Sequence, residues 1–205
     1  MKETLLIIGA SGHGKVVADV AIKMNRWKKV AFLDDNENIK SSIGIEVIGK
    51  TNECFNYIDT SDIVVAIGSN IVREQFIEQL IAAGASIPIL IHPNAIIGTQ
   101  VAFGVGTVIM AGAIINSSAK VGQGCIINTG ATIDHDCIID DYVHISPGVH
   151  LAGTVTIGKN SWLGIGCIVS NNICITRDCV VGAGAVVIKD ISDKGIYVGV
   201  PARRL

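Results

Sequence analysis

The sequence predicts an α/β fold in the first part of the chain and a parallel β-helix in the rest. Apolar strand patterns alternate with helical patterns up to about residue 88, and an apolar residue then recurs at every sixth position. The composition agrees, because 49% of the 205 residues are hydrophobic and only 17% are charged, which argues against disorder. We therefore expect two domains, residues 1–88 and residues 89–205.

The first domain is predicted to be a small Rossmann-like parallel sheet with helices. The apolar run 4–8 indicates a buried strand and leads into the glycine-rich stretch 9–14. Further strands are predicted at 29–33 and 62–67, and helices at 15–25 and 71–83, the second helix ending at Gly84. Strands that alternate with helices in this way favour a parallel α/β arrangement.

The second domain is predicted from one uninterrupted register of seventeen apolar residues, each six positions after the last. A small or β-branched residue follows four positions after most of them, as at Ala113, Cys125 and Ala131. A period of six fits neither a helix nor a hairpin, but it fits a prism in which each hexad forms one side. The register consists of Ile91, Ile97, Phe103, Ile109, Ile115, Val121, Ile127, Ile133, Ile139, Ile145, Leu151, Ile157, Leu163, Val169, Ile175, Val181 and Val187.

Composition and charge exclude several classes of protein. The net charge of −2 creates no field that would attract nucleic acid or an anionic membrane, and no apolar stretch approaches the roughly 20 residues of a membrane span. No signal peptide is visible, so the six cysteines are interpreted as reduced thiols in a cytoplasmic protein. Four of them occupy the small inward position of a hexad and are predicted to lie in the core: Cys125, Cys137, Cys167 and Cys179.

A polar triplet, Asp134-His135-Asp136, interrupts the apolar repeat and indicates a catalytic base. Histidine is suited to proton transfer near neutral pH, and an adjacent carboxylate can fix its tautomer and raise its basicity. Residues 18 apart stack on successive coils about 4.8 Å apart, which places Gly153 over His135. A glycine there leaves its backbone N–H open to a ligand, so Gly153 is a candidate oxyanion donor; a turn-forming role is equally compatible.

The glycine-rich stretch after the first strand indicates a phosphate or nucleotide site, because backbone N–H groups at a helix N-terminus favour anions. Its spacing, Gly9-x-x-Gly12-x-Gly14, departs from the usual dinucleotide pattern. Asp34 and Asp35 end the second strand and could bind a ribose or a base, or simply cap the next segment of the chain.

The motifs together resemble a known family. The hexads and the closing Gly199-Val200-Pro201-Ala202-Arg203 resemble the left-handed β-helix of hexapeptide acyltransferases. The motifs Gly9-Ala10-Ser11-Gly12-His13-Gly14, Phe32-Leu33-Asp34-Asp35, Ala66-Ile67-Gly68-Ser69-Asn70 and Ile133-Asp134-His135-Asp136-Cys137 resemble nucleotide-sugar N-acetyltransferases of the bacillosamine and perosamine pathways. Sialic acid O-acetyltransferases look similar too. The likeness spans essentially the whole chain.

This resemblance implies acetyl transfer from acetyl-CoA, without a metal, to a UDP-linked sugar. It implies that His135 is the base and that Asp136, where the family usually has glutamate, is its partner. Because His144 is half a coil from His135, we expect a homotrimer with sites in the clefts between subunits, as in the resembling enzymes. The acetyl-CoA contacts implied are His144, Ile165 and Ala183, to which Arg203 is added for its charge, and the sugar-nucleotide contacts implied are Ser11, Gly12, His13, Asp34, Asp35, Gly68 and, near the reaction centre, Asn128.

Several alternatives stay open on the sequence. A UDP-4-amino-4,6-dideoxy sugar is the first choice of acceptor, followed by a sialic acid hydroxyl and then a GDP-linked amino sugar. A zinc hydratase like the γ-class carbonic anhydrases would use the same β-helix, but it needs converging histidines, and His144 and His150 lie on adjacent prism faces. A non-catalytic scaffold is disfavoured by the polar triplet at His135. Cys54 and Cys174 lack a neighbouring base, so we expect direct transfer without an acyl-cysteine.

Overall fold

The computed structural model describes residues 2–205, and the chain divides into two compact units, with the division after Pro93. The boundary proposed from the sequence, between residues 88 and 89, lies slightly earlier in the chain.

The first unit contains a five-stranded sheet among its described residues, in the order β3-β4-β2-β1-β5. Strands β1, β2, β4 and β5 are parallel, and β3 pairs antiparallel with β4. The elements are β1 (Thr4–Ile8), α1 (Gly12–Met24), β2 (Lys29–Leu33), β3 (Ser41–Ser42), β4 (Ile45–Gly49), a 3-10 helix (Thr51–Tyr57), β5 (Ser61–Val65), α2 (Asn70–Ala82) and β6 (Leu90–Ile91).

The first helix begins earlier than the sequence predicts. Helix α1 starts at Gly12, so Gly12, His13 and Gly14 form its first turn rather than a loop. A Cβ on Gly14 would overlap the carbonyl oxygen of Gly9, so this close approach of helix and loop requires glycine. Strand β4 and the 3-10 helix are not predicted, because residues 45–49 offer too short an apolar pattern to distinguish a strand from a loop.

The second unit is a three-sided parallel β-helix in which each strand pairs with the strand 18 residues further on. Face 1 is formed by β7 (Ile96–Ile97), β10 (Ile114–Ile115), β13 (Thr132–Ile133), β16 (His150–Leu151), β19 (Ile168–Val169) and β22 (Val186–Val187). Face 2 is formed by β8 (Ala102–Phe103), β11 (Lys120–Val121), β14 (Ile138–Ile139), β17 (Thr156–Ile157) and β20 (Cys174–Ile175). Face 3 is formed by β9 (Val108–Ile109), β12 (Ile126–Ile127), β15 (His144–Ile145), β18 (Trp162–Leu163) and β21 (Cys179–Val181), and it continues into β23 (Gly195–Val198) and the antiparallel β24 (Arg203–Arg204).

The prism interior confirms the predicted register. Every sixth residue from Ile109 to Val187 is buried, whereas Ile97 and Phe103 in the first coil are half-buried. The four hexad cysteines are buried as predicted, in the small position where the chain turns. Stacked β-branched side chains on parallel strands give a core that needs few aromatic residues.

One of the three prism edges differs from the other two. At each edge the turn contains a residue in the left-handed conformation, with φ near +60°. The edge between faces 1 and 2 accepts Gln100, Ser118, Asp136, Thr154 and Asn172 at this position, so the backbone does not demand glycine. The edge between faces 3 and 1, called here the glycine edge, has only glycine in the corresponding positions: Gly112, Gly130, Gly148, Gly166 and Gly184. Something other than φ therefore keeps side chains off this edge.

No helix within residues 2–205 combines the length and the apolar character needed to cross a bilayer.

Candidate functional site

His135 lies in the turn between faces 1 and 2, immediately after β13. Its Nδ1 is 2.8 Å from Oδ2 of Asp136, which fixes the ring and leaves Nε2 as the proton acceptor. Asp134 has a different task, because its Oδ1 accepts the backbone N–H of His135 and the amide of Asn116, both at 2.8 Å. Asp136 therefore holds the ring and Asp134 shapes the turn. The ring is accessible, with 59% of the side chain exposed.

The electrostatics of the triplet favour a stronger base. The hydrogen bond that His135 donates to Asp136, followed by the charge of Asp134, raises the pKa of His135 above its usual value. The pKa of Asp134 is lowered by the hydrogen bonds from Asn116 and from the His135 backbone, so Asp134 keeps its charge beside the ring.

Replacing Asp136 with asparagine tests this coupling. We expect Asp136→Asn to lower the pKa of His135, because an amide stabilises the imidazolium less than a carboxylate does. If the neutral ring is the active form, the acidic limb of the kcat–pH profile moves to lower pH, while the maximal kcat falls as the ring loses its orientation. The pH–rate profile and an NMR titration of His135 measure both effects. An acidic limb at the wild-type pH would show that Asp136 does not influence the pKa of the catalytic base.

Gly153 lies directly over the His135 ring, one coil further on. A Cβ built there would come within 2.6 Å of both Cε1 and Nε2 of His135. The neighbouring N–H groups of Ala152 and Thr154 bond to Val169 and His135, whereas the Gly153 N–H donates to no atom of residues 2–205. A backbone N–H that has no acceptor in the protein and lies beside an exposed base can donate to a ligand oxygen.

His144 lies on face 3, away from the edge that carries His135. Nδ2 of Asn128 is 3.2 Å from Nε2 of His144. The amide orientation is settled because Oδ1 of Asn128 accepts the backbone N–H of Thr129 at 2.8 Å, which leaves Nδ2 as the donor. Nε2 of His144 is therefore an acceptor and the proton of the neutral ring is on Nδ1.

Ile165 and Ala183 lie next to the glycine edge and are both exposed, Ile165 at 63%, so neither belongs to the core. Arg203 is exposed near the C-terminus, where it lines a cleft of about 370 Å³ together with Lys189, Arg204 and Tyr197. Asp190 also lines the cleft, with its Oδ1 accepting the backbone N–H of Cys174. Three cationic side chains against one carboxylate leave the cleft net positive, which suits a phosphorylated ligand.

In the first unit, Ser11 lines a cavity of about 560 Å³ at the start of α1. Two lysines, Lys15 and Lys40, and the hydroxyls of Ser41 and Ser42 share this cavity with Ile39 and Ile43. Gly12 is beside it, and a Cβ on Gly12 would meet no atom. A helix N-terminus with two lysines and an apolar wall is suited to a nucleotide.

Asp34 and Asp35 already have protein partners. Oδ2 of Asp34 accepts the Ala10 N–H at 2.7 Å and Oδ1 accepts the Asn36 N–H at 2.8 Å, which ties the loop after β1 to the end of β2. Asp35 instead bonds to the backbone and the hydroxyl of Thr51 at the start of the 3-10 helix. Both carboxylates shape loops, and any ligand contact uses their remaining lone pairs.

His13 and Gly68 lie near a buried arginine. Arg73 donates to the carbonyl oxygens of Ile67 and Gly68 at 3.0 and 3.2 Å. Burial, with the charge of Arg73 as a smaller cause, lowers the pKa of His13 to about 4. Its Nε2 has no hydrogen-bond partner among the described residues, although it is buried. The unpaired Nε2 of a neutral His13 is a candidate hydrogen-bonding group for a polar ligand.

The remaining titratable groups have no comparable setting. Burial raises the pKa of the Cys167 thiol to about 12 and raises that of Cys54, so neither supplies a thiolate near neutral pH. His150 is bonded to Thr132, and His92 is buried. Within residues 2–205, no group of three or more His, Cys, Asp or Glu side chains is arranged to hold a metal ion.

Comparison with known proteins agrees with this fold. Residues 4–80 match the family model of the PglD N-terminal domain, and residues 118–153 match that of the bacterial transferase hexapeptide (six repeats). The acetyltransferase domain of PglB from Neisseria gonorrhoeae, also solved in complex with acetyl coenzyme A, is 40% identical over 100% of both chains, with a TM-score of 0.97.

Two further relatives carry nucleotide sugars in their descriptions. PerB from Caulobacter crescentus, solved in complex with CoA and GDP-perosamine, is 34% identical over 98% of this chain and 97% of its own, with a TM-score of 0.93. The UDP-N-acetylbacillosamine N-acetyltransferase of Bacillus subtilis is 38% identical over 112 residues. That match covers 53% of this chain and 52% of the relative, so it spans about half the length of this curated relative.

The left-handed β-helix, with its histidine turn and adjoining α/β unit, defines an acyltransferase of the hexapeptide-repeat class. More specifically, the chain belongs to the sugar N-acetyltransferase family that includes the PglB and PerB acetyltransferases.

Proposed function

We propose that the chain transfers acetyl from acetyl-CoA to the 4-amino group of a UDP-linked 4-amino-4,6-dideoxy sugar. The observation that carries the proposal is the pairing of His135, held by Asp136, with the uncommitted N–H of Gly153 on the next coil. The two groups supply the base and the oxyanion donor that acyl transfer to an amine requires.

The transfer is direct. The sugar amine attacks the thioester carbonyl carbon, and Nε2 of His135 takes the proton that the nitrogen loses. The Gly153 N–H stabilises the negative charge that develops on the carbonyl oxygen. The C–S bond then breaks, the amide is complete, and the proton returns to the departing thiolate to give free CoA. The high pKa values of the buried cysteines support a route without an acyl-cysteine.

The site is proposed to form between subunits of a homotrimer. His135 at the edge between faces 1 and 2 and His144 on face 3 are separated by half a coil, so neighbouring chains could bring them together. In this arrangement His144, with its proton on Nδ1, donates to acetyl-CoA. The free thiols and the use of acetyl-CoA fit a cytoplasmic enzyme.

The glycine edge is the proposed path of the pantetheine arm. The proposed path runs past Ile165 and Ala183 and ends at the cleft lined by Arg203, where the CoA phosphates would bind. A path for an extended chain explains why this edge lacks side chains although its φ values match those of the other edges.

Replacing Gly166 with asparagine tests the path. Asparagine already occupies the same turn position at Asn160 and Asn172, with φ of 61° and 59°, so the fold should accept Gly166→Asn at φ 66°. The new side chain would project into the open space that the glycine leaves. We expect the KM for acetyl-CoA to rise about tenfold or more, with the KM for the sugar unchanged. Gln100→Asn, at the same turn position in the first coil of the edge between faces 1 and 2, is the matched control. Equal constants for both variants would refute the path.

The nucleotide of the acceptor is proposed to bind the cavity lined by Ser11, Lys15 and Lys40, beside the first turn of α1. His13, Asp34, Asp35 and Gly68 contact the sugar nucleotide, and Asn128 lies near the reacting amine. A UDP sugar is supported by the Bacillus subtilis relative, whereas the similarity to PerB favours a GDP-linked amino sugar as the second candidate.

The proposal is tested by incubating the protein with acetyl-CoA and a panel of acceptors while free thiol release is followed. The panel contains UDP- and GDP-linked 4-amino-4,6-dideoxy sugars, their 4-hydroxy counterparts and a free sialic acid. We expect turnover only with an amine, and with the UDP sugar as the best substrate. Turnover restricted to the hydroxyl of sialic acid would overturn N-acetylation.

A further inference from the structure

An exposed tryptophan stacks on His144. Trp162 is in register with His144 on the neighbouring strand of face 3, with ring centroids 6.0 Å apart and planes inclined by 10°. This is within the usual range for stacked aromatic pairs. Trp162 is 48% exposed, whereas Ile126 and Val108 at equivalent positions on the same face are buried. Further along the same column Val180 is half-buried and Ile196 is 49% exposed, so exposure alone does not set Trp162 apart. What distinguishes Trp162 is a large ring that is stacked on a histidine.

The indole ring is locked as well as exposed. Its Nε1 donates to Oγ of Ser146 at 2.8 Å, and Ser146 is buried. Ser146 follows His144 by two residues, so the same stretch of chain carries the histidine and the anchor of the ring above it. A fixed indole restricts the motion of the imidazole against which it packs.

His144 is thereby held from two directions. Asn128 fixes its Nε2 edge and its tautomer, and Trp162 fixes the plane of its ring. The direction of the Nδ1–H bond depends on both contacts, because a ring rotation turns the N–H away even if the tautomer is unchanged.

We propose that Trp162, anchored by Ser146, is a positioning residue of the acyl-transfer site that aims the Nδ1–H of His144. The inference rests on the proposed role of His144 toward acetyl-CoA. Trp162 acts through His144, so it governs turnover more than the binding of the sugar nucleotide.

The test compares Trp162→Ala, Trp162→Phe and Ser146→Ala. We expect Trp162→Ala to lower kcat about tenfold, with an unchanged KM for the sugar nucleotide. Trp162→Phe keeps a stacked ring and loses only the bond to Ser146, so it should restore most of kcat. Ser146→Ala removes the same bond, so the double variant Trp162→Phe with Ser146→Ala should be no worse than either single variant.

A matched control is available on face 1. Ile168 is 46% exposed and is in register above His150 as Trp162 is above His144. Ile168→Ala should leave kcat unchanged. Thermal unfolding and particle mass verify that each variant is folded.

A readout independent of turnover comes from ¹⁵N NMR of the His144 ring. The wild type should show a single Nδ1–H tautomer, and Trp162→Ala should show averaged signals from a mobile ring. Unchanged ring signals, or a kcat equal to that of Ile168→Ala, would overturn the positioning role. His144→Ala distinguishes the role of His144 toward acetyl-CoA from the role of Trp162 in positioning it. Full activity of His144→Ala overturns both roles. Impaired activity of His144→Ala together with normal activity of Trp162→Ala overturns only the role of Trp162.

Discussion

Replacing His135 with alanine should lower kcat by about 10²- to 10⁴-fold, the range typical of a lost general base. The ring is exposed and bonds to Asp136 at the surface of the turn, so its removal leaves the packed prism untouched. Thiol release at saturating substrates measures the effect, and thermal unfolding should show no loss of stability. The residual rate would come from substrate alignment and from the Gly153 N–H.

His150→Ala is the matched control for this experiment. His150 is another exposed histidine of the same prism, bonded to Thr132 on the strand that leads to the His135 turn and three residues before Gly153. Its removal therefore tests the loss of a nearby imidazole that is not the proposed base. The variant should retain wild-type kcat. If His135→Ala also retained it, the proton would have another acceptor and the proposed mechanism would be wrong.

Gly153→Ala should lower kcat by about 100-fold without unfolding the protein, because a 1 Å displacement of a reacting group carries a cost of this order. The added Cβ would stand 2.6 Å from Cε1 and Nε2 of His135, so the ring must swing away. The backbone should tolerate the change, since the equivalent position on other coils carries Thr99, Ser117 and Asn171. The requirement for glycine therefore comes from the imidazole and not from the turn.

Asn171→Ala serves as the comparison, because it changes the next residue of the same stack without approaching the ring. A crystal structure of Gly153→Ala should show the displaced imidazole, and an NMR titration should show a lower His135 pKa as the bond to Asp136 lengthens. Normal turnover with a displaced ring would exclude His135 as the base.

The prism can be predicted almost completely from the sequence, because its signal repeats at every coil. An error at one hexad is corrected by its neighbours, so the inward positions from Ile109 onward are all buried as expected. The first unit is predicted less well. The sequence places the start of α1 at Lys15 instead of Gly12, because glycines in a first helical turn resemble a loop in sequence.

The parts of the site that can be predicted are those fixed by the repeat. Adding 18 to 135 places Gly153 over the ring, and the structure has it there. The cavity lysines Lys15 and Lys40 and the buried Arg73 do not stand out in the sequence, because each depends on contacts between residues that the apolar pattern does not mark. For Trp162 a signal exists, since it is 18 residues after His144.

The stacking of strands on face 1 also sets the distance between the His135 turn and the C-terminal cleft. Ile133, just before the turn that carries His135, is in register with Leu151, Val169 and finally Val187, which forms a wall of the C-terminal cleft. Three coil rises separate the two levels, about 14 Å at the spacing of parallel strands. If the CoA phosphates bind this cleft as proposed, the number of coils sets the distance between the acyl group and the phosphates of its carrier. Inserting a whole coil would preserve every local contact and still mismatch the carrier by one strand spacing.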